Sequence, residues 1–342
     1  MTKRATITDV AKKAGVSVAT VSRCFSNNGY PVSKDACSRI RSAADILEYS
    51  PNIVGRMLKT NTSRDIGVII PTIMNPFYPN VLLGIEKTAD RRGYQILLCN
   101  SLRNSETESK YINSLYQKQV RGIIIASAEG PFEKYHELKE KGFNVLDLEG
   151  SSSDDCCTGI SFDFKKGGRM LANHLKELGH KDIAFLTSPL TKQSRRDLLE
   201  GIKSVVDIPG DMILIDDMES ESVSGIYEYE MGRRLAKRLL ENEERPSAII
   251  AVNDITGAGI IKGFNEEGYR VPEDFSVVGF DNIELSAMIT PALTTVNQPG
   301  FKTGELAANM IIDQIENKEI KKIVIEPELI IRASTMKKGG KS

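Results

Sequence analysis

Thr6-Ile7-Thr8-Asp9-Val10-Ala11-Lys12-Lys13-Ala14-Gly15-Val16-Ser17-Val18-Ala19-Thr20-Val21-Ser22-Arg23 reads as two short helices joined by a glycine turn. Thr8 is expected to cap the first helix, which carries Val10, Ala11 and Ala14 on one face, and Gly15 supplies a left-handed stop. Val16 plugs the turn, and Ser17 caps a second helix running from Val18 to about Phe25. A helix, a glycine turn and a capped second helix form the helix-turn-helix pattern, whose second helix lies in the DNA major groove. Its exposed face would be Ser17, Val18, Ala19, Ser22 and Arg23. Val18 and Ala19 suit thymine methyls, and Arg23 reaches guanine O6/N7 or a phosphate. Ser33 then caps a third helix with Ile40, Ala43, Ala44 and Leu47 at helical spacing, and Thr8, Thr20, Asn27 and Ser33 complete this set of DNA-contact candidates. A plain helical hairpin has the same pattern, so charge has to decide.

The whole chain of 342 residues has a net charge of −1, but the charge is divided unevenly. Residues 1–64 hold eleven Lys/Arg against four Asp/Glu, whereas the remaining 278 residues hold 34 against 42. A small basic head on a large acidic body points to a polyanion bound by the head alone. With 40% hydrophobic and 27% charged residues the composition is globular. No apolar run of about 18 residues is present, and no apolar core follows Met1-Thr2-Lys3-Arg4, so neither a membrane span nor a secretory signal is expected. The five cysteines (Cys24, Cys37, Cys99, Cys156 and Cys157) form no C-x-x-C pair and no zinc spacing. They are expected to be reduced, small buried hydrophobes of a cytoplasmic protein, with no metal and no cofactor bound.

From Ile66 onward, short apolar runs alternate with amphipathic stretches. Strands are expected at Ile66–Ile70, Gln95–Cys99, Gly122–Ala126, Asn144–Leu148, Ile183–Leu186, Met212–Ile215, Ala248–Val252 and Ser276–Phe280. Helices are expected at Pro79–Arg92, Glu108–Lys118, Gly167–Leu178 and Thr256–Glu267. Strands without polar alternation, separated by helices, indicate doubly wound parallel sheets, and so many strands suggest two lobes. The polar stretch Asn61-Thr62-Ser63-Arg64 reads as the joint before them.

The Thr6–Arg23 stretch, together with Tyr49-Ser50-Pro51-Asn52, resembles the N-terminal signature of the lactose repressor (LacI/GalR) family of bacterial transcription regulators. The resemblance continues through Asn75-Pro76-Phe77-Tyr78, His174-Leu175-Lys176-Glu177-Leu178-Gly179-His180, Asn253-Asp254, Val277-Val278-Gly279-Phe280-Asp281 and Pro291-Ala292-Leu293-Thr294-Thr295-Val296-Asn297-Gln298-Pro299, in that order. It implies an all-α helix-turn-helix head on an α/β two-lobed, periplasmic-binding-protein-like effector domain. The expected division is residues 1–50 for the head, 51–64 for a hinge helix and linker, and 65–337 for the body. Within the body, the N-lobe would be about 65–162 and 299–325, and the C-lobe about 163–297 and 326–337. The resemblance implies a dimer, and since the sequence runs only a few residues past Thr335, the helix with which some members tetramerise is not expected. Two departures fall in the head: Ala36 and Cys37 replace a usual Thr and Arg, and Glu48 stands where a left-handed Gly or Asn is usual. The first removes possible phosphate contacts, and the second should strain the backbone.

Two chemistries compete for the body. Gly257-x-Gly259-x-x-x-Gly263 after a strand loosely imitates a dinucleotide fingerprint, but Asn253 to Thr256 lengthen the turn and the third glycine comes one place late. Helix packing explains these glycines better. The binding reading places ligand groups in loops at the carboxyl ends of strands. Asn75, Phe77, Tyr78, Asp147, Asn253, Asp281 and Gln298 fit that rule, and by resemblance they line the effector cleft. Acids and amides would pair with hydroxyls while aromatic rings cover a sugar's C–H face. The structural alternatives are core packing for Phe77 and Tyr78, and helix capping for Asn253 and Asp281. Leu148 and Leu198 stand where sugar-binding relatives often have arginine, and Arg195 and Arg196, about one turn earlier than Leu198, are candidate substitutes.

The expectation is therefore a non-enzymatic, homodimeric repressor of pseudo-palindromic operator DNA, controlled by a sugar or related polyol, with no membrane partner. A solute-binding protein or an NAD-type oxidoreductase on a similar scaffold is the alternative, and the basic head argues against both. In the hinge, Asn52, Gly55, Arg56, Leu58 and Lys59 are the further DNA candidates. By resemblance, Leu58 wedges into the minor groove and kinks the duplex. A helix this short is marginal in water, and Gly55 weakens it by about 1 kcal/mol relative to Ala. Gly55→Ala should therefore tighten operator binding and blunt the effector response, while Leu58→Ala should weaken binding and reduce DNA bending. Operator titrations with and without effector check both, and a Gly55→Ala protein that binds no more tightly than wild type refutes control by hinge propensity.

Overall fold

The computed structural model describes residues 5–25, 32–50, 63–126, 132–148, 158–216 and 226–339. The chain divides into two units, Met1–Ser63 and Arg64–Ser342.

The first unit contains the helices α1 (Ile7–Ala14), α2 (Val18–Phe25) and α3 (Lys34–Ile46). The N-cap of α1 is Thr6, not the expected Thr8: Asp9 N–H donates to Thr6 Oγ1, and Asp9 Oδ2 accepts from Thr6 N–H at 2.8 Å. This reciprocal capping box satisfies two end groups at once, so the helix starts one residue before Thr8. Gly15 has φ +66°, the left-handed stop expected of it, and Ser17 caps α2 by accepting from Thr20 N–H at 3.1 Å. Ser33 caps α3 through Ala36 N–H. Val10, Ala11, Ala14, Val21, Ile40, Ala43 and Ala44 form the buried core of this unit. Glu48 adopts φ +49°, the left-handed conformation anticipated for it.

The second unit contains two six-stranded sheets. The first sheet contains β1 (Asp65–Ile70), β2 (Gln95–Asn100), β3 (Gly122–Ile125), β4 (Asn144–Asp147), β5 (Thr158–Phe162) and β11 (Ile323–Ile325), in the order β11-β5-β4-β3-β1-β2. The second contains β6 (Ile183–Thr187), β7 (Ile213–Ile215), β8 (Ala248–Ala251), β9 (Ser276–Asp281), β10 (Thr294–Asn297) and β12 (Glu328–Ile330), in the order β12-β10-β9-β8-β6-β7. All described pairings are parallel except β10 with β12. The chain crosses between sheets after β5, after β10 and again between β11 and β12. Each of the eight expected strands is present, with ends moved by up to one residue, because buried Val/Ile/Leu runs leave little choice. Met212 closes a short 3-10 turn before β7. The strands β5, β10, β11 and β12 were not expected; Thr, Asn, Ser and Glu residues interrupt the apolar signal of β5, β10 and β12, and β11 is only three residues long between polar neighbours.

Helix packing explains the glycines that imitate a nucleotide motif. A Cβ at Gly259 would lie 2.0 Å from Tyr229 O and one at Gly263 2.9 Å from Ala236 Cβ, so the Asp254–Glu266 helix meets the Tyr227–Leu240 helix at backbone distance. The same close approach joins the Phe77–Arg91 and Gly300–Ile315 helices, where a Cβ at Gly304 would meet Val81 O at 2.0 Å. The described cysteines, Cys24, Cys37 and Cys99, are unbridged and half-buried, not fully buried as expected; Cys24 and Cys99 pack on the flanks of their cores. Forcing the packed helices apart costs roughly 1–3 kcal/mol, and Gly304→Ala should lower stability by that amount. Chemical denaturation checks it, and an unchanged midpoint contradicts the packing argument.

Candidate functional site

A cavity of about 80 Å³ opens between the two sheets of the second unit, room for several water molecules and hence for the polar groups of a small ligand. The first-sheet side supplies Asn75, Phe77 and Tyr78 from the segment after β1, and Arg103 from the turn after β2. The second-sheet side supplies Glu228, Asn253 and Asp281, and Gln298 lies on a crossing segment. Arg195 also lines it, as do Lys192, Phe164 and Phe280. Phe164 stacks on Phe280 at 5.6 Å, giving the cavity a rigid aromatic floor.

Glu228 is the hub. Its carboxylate accepts from Asn75 Nδ2 at 3.0 Å, Arg103 Nη2 at 2.8 Å and Asn253 Nδ2 at 2.8 Å. Asn253 caps the following helix, its Oδ1 accepting from Thr256 N–H at 2.9 Å, and its side chain also lines the cavity. Asp281 ends β9 with φ +110°, a conformation a non-glycine residue holds only when its surroundings impose it. The next residue supplies the restraint: Asn282 Oδ1 accepts from Arg332 Nη2 at 2.6 Å, and Asn282 Nδ2 donates to Asn297 at 3.1 Å. Tyr78 belongs to the buried core and also lines the cavity, so packing and binding are not exclusive there.

Two expected residues are elsewhere. Asp147 is buried at the end of β4, inside the first sheet between β3 and β5, and is not among the described residues lining the cavity. Arg196 also misses the lining: it is exposed and donates to the carbonyls of Leu190 and Thr191, whereas Arg195, one position earlier on the helix, lines the cavity while donating to Pro189 O. In the first unit, Ser17, Val18, Ala19 and Arg23 lie exposed on α2, with Thr20 and Ser22 half-buried. Thr8 is exposed on α1, and Ser33 occupies its cap. Asn27, Asn52, Gly55, Arg56, Leu58 and Lys59 lie outside the described residues.

Residues 6–52 match the family described as bacterial regulatory proteins, lacI family, and residues 172–335 match a periplasmic binding protein-like domain. A ribose operon repressor of Halalkalibacterium halodurans is 35% identical over 339 residues, covering 98% of each chain. An HTH-type transcriptional repressor PurR of Mannheimia succiniciproducens is 34% identical over 341 residues, covering 97% of this chain and 99% of its own. The chain belongs to the lacI family. Among solved structures, the lac repressor dimer bound to operator and the anti-inducer ONPF superposes with a TM-score of 0.84 at 25% identity, covering 98% of this chain and all of that one. A lacI-family transcriptional regulator from Enterococcus faecium with bound ribose gives 0.69 at 30% identity over 80% of this chain and 99% of its own.

As a lacI-family regulator the chain is a DNA-binding protein, and the family consists of regulators of transcription. No described helix is long and apolar enough to cross a membrane. Arg103, Glu228 and Lys192 were missed from sequence. Arg103 could have been found, since it follows the carboxyl end of β2; Glu228 lies well beyond Ile215, the end of β7, in the first turn of the Tyr227–Leu240 helix, where the strand-end rule does not point.

The floor behind Asp281 carries a titration. Asp254 is buried, and burial pushes its carboxyl up to about 7 although Thr295 Oγ1 and Ile283 N–H donate to it. Burial likewise holds Asp281 well above the ordinary carboxylate value, with the Asp254 and Glu228 charges adding to the effect. Since the folded value of Asp254 exceeds the unfolded 3.8, the fold retains a proton that the unfolded chain releases. Its contribution to stability therefore falls as pH rises from about 4 to about 7 and is level above that. Asp254→Asn should remove this slope, so that wild-type stability relative to the variant declines by roughly 1 kcal/mol per pH unit in that window. Urea unfolding of both proteins across the window measures it; parallel pH profiles would show that Asp254 does not hold the proton.

Proposed function

We propose that this chain is a repressor that binds operator DNA as a homodimer through residues 1–50 and a hinge at 51–64. Residues 65–337 would take a small polyhydroxylated effector between an N-lobe of about 65–162 and 299–325 and a C-lobe of about 163–297 and 326–337. The observation that carries the reading is a polar cavity with an aromatic floor, lined from both sheets, in a chain whose other unit is a capped helix-turn-helix. A neutral polyol suits it because amides and carboxylates accept and donate to hydroxyls while rings cover apolar C–H faces. The ribose named for one relative and one bound structure supports the same class. Within the head, the exposed Val18, Ala19 and Arg23 have the chemistry to read base edges.

Closing the lobes on the effector changes the spacing at which the two hinges of a dimer begin, and a marginal hinge helix amplifies that shift. A protein beginning at Asp65 should stay folded and dimeric yet bind no operator, and operator affinity of the full chain should fall steeply with salt. Asp281→Ala should weaken effector binding by roughly 1–3 kcal/mol while leaving operator affinity of the effector-free protein unchanged. Fluorescence anisotropy on operator DNA and effector calorimetry read the two separately. Specific operator binding by the shortened protein, or wild-type effector titrations for Asp281→Ala, would overturn the respective half.

A further inference from the structure

The arginines expected for sugar recognition are absent, because Leu148 and Leu198 are leucines and both are buried. A guanidinium nonetheless reaches the cavity, from a different wall. Arg103 belongs to the turn after β2, where Leu102 and Arg103 take φ +53° and +59° in succession. Arg103 N–H is anchored on Pro71 O at 3.0 Å, so this unfavourable left-handed pair is imposed by the fold. The result aims the guanidinium across the cavity at Glu228, on the other lobe, at 2.8 Å, with side-chain exposures of only 20% and 13%. Of the five N–H groups of a guanidinium, the described contacts use one on Glu228, and the side chain lines the cavity.

We propose that Arg103 and Glu228 form the effector-specificity element of this chain, a cation–carboxylate pair split between the lobes that reads two neighbouring hydroxyls. Arg103 donates to one hydroxyl oxygen, and the other hydroxyl donates to Glu228. This rests on the polyol reading above and narrows it to a neutral vicinal diol. At the pair itself an anionic group meets the Glu228 carboxylate, and a cationic one meets Arg103, whereas a diol satisfies both members without unpairing either charge. Because one partner comes from each lobe, a ligand engaging the pair bridges the cleft.

The test is calorimetry of the full chain with ribose, other pentoses and hexoses, and the deoxy analogue of whichever sugar binds. Arg103→Ala should weaken binding of the diol sugar by roughly ten- to a hundredfold and leave binding of the matching deoxy analogue at its wild-type value. Equal losses on both sugars would make Arg103 a structural strut, and a loss under about twofold would make it a bystander; either overturns the inference and leaves the polyol reading standing. Charge exchange, Arg103→Glu with Glu228→Arg, should restore the thermal stability lost in the single variants but not diol binding. Recovered binding would reduce the pair to a clasp and overturn the proposal. A wild-type protein that binds no sugar in the panel removes the polyol reading and this inference together.

Discussion

The guanidinium of Arg332 sets the geometry on which the cleft depends. It donates to Leu293 O at 2.7 Å, Ser286 Oγ at 3.0 Å and Asn282 Oδ1 at 2.6 Å, and so fastens the segment after β12 to the loop after β9. Two residues on, Ser334 Oγ accepts from Thr294 N–H and donates to Val277 O, sewing the same segment into the neighbouring strands. Charge-assisted bonds to carbonyl and amide oxygens in a water-poor setting are short and hard to replace. With that loop fixed, the left-handed Asp281 has no alternative conformation. The carboxylate position then follows from the backbone.

The two buried histidines belong to the same support. His180 touches Ser247 at 2.9 Å and Met336 O at 3.0 Å, while His174 reaches Thr335 at 3.0 Å. Burial lowers both imidazoles from their ordinary value, which favours the neutral form able to donate from one nitrogen and accept at the other. The repeated His in His174–His180 is therefore a fastening for the chain's last segment.

What sequence could and could not show divides along physical lines. Buried parallel strands are continuous apolar runs, so β1 to β4 and β6 to β9 were legible, and with them the loop ends bearing Asn75, Asn253 and Asp281. Thr6 against Thr8 was not decidable from spacing alone, since either hydroxyl precedes the apolar stripe and only Asp9 chooses between them. Arg195 and Arg196 differ by one helical position and both donate to the preceding turn, but only Arg195 also lines the cavity. Glu228 was invisible for a deeper reason. Its role comes from three donors brought together by two separate sheets, and no local pattern records a meeting between Asn75 and a residue 153 positions later.

Three passages of chain between the sheets have a mechanical consequence. A single connector would leave one half free to twist, slide and bend against the other. Three such straps resist torsion and shear and leave bending as the compliant mode. The second sheet on which they land is stiffened by Ser334 and Arg332, which tie the segment after β12 to β9, β10 and the loop between them. Whatever occupies the cavity is thereby reported as one angle. The stiffness of the straps, set by residues remote from any ligand, fixes how much of a molecule's grip becomes motion and how much is absorbed as elastic strain.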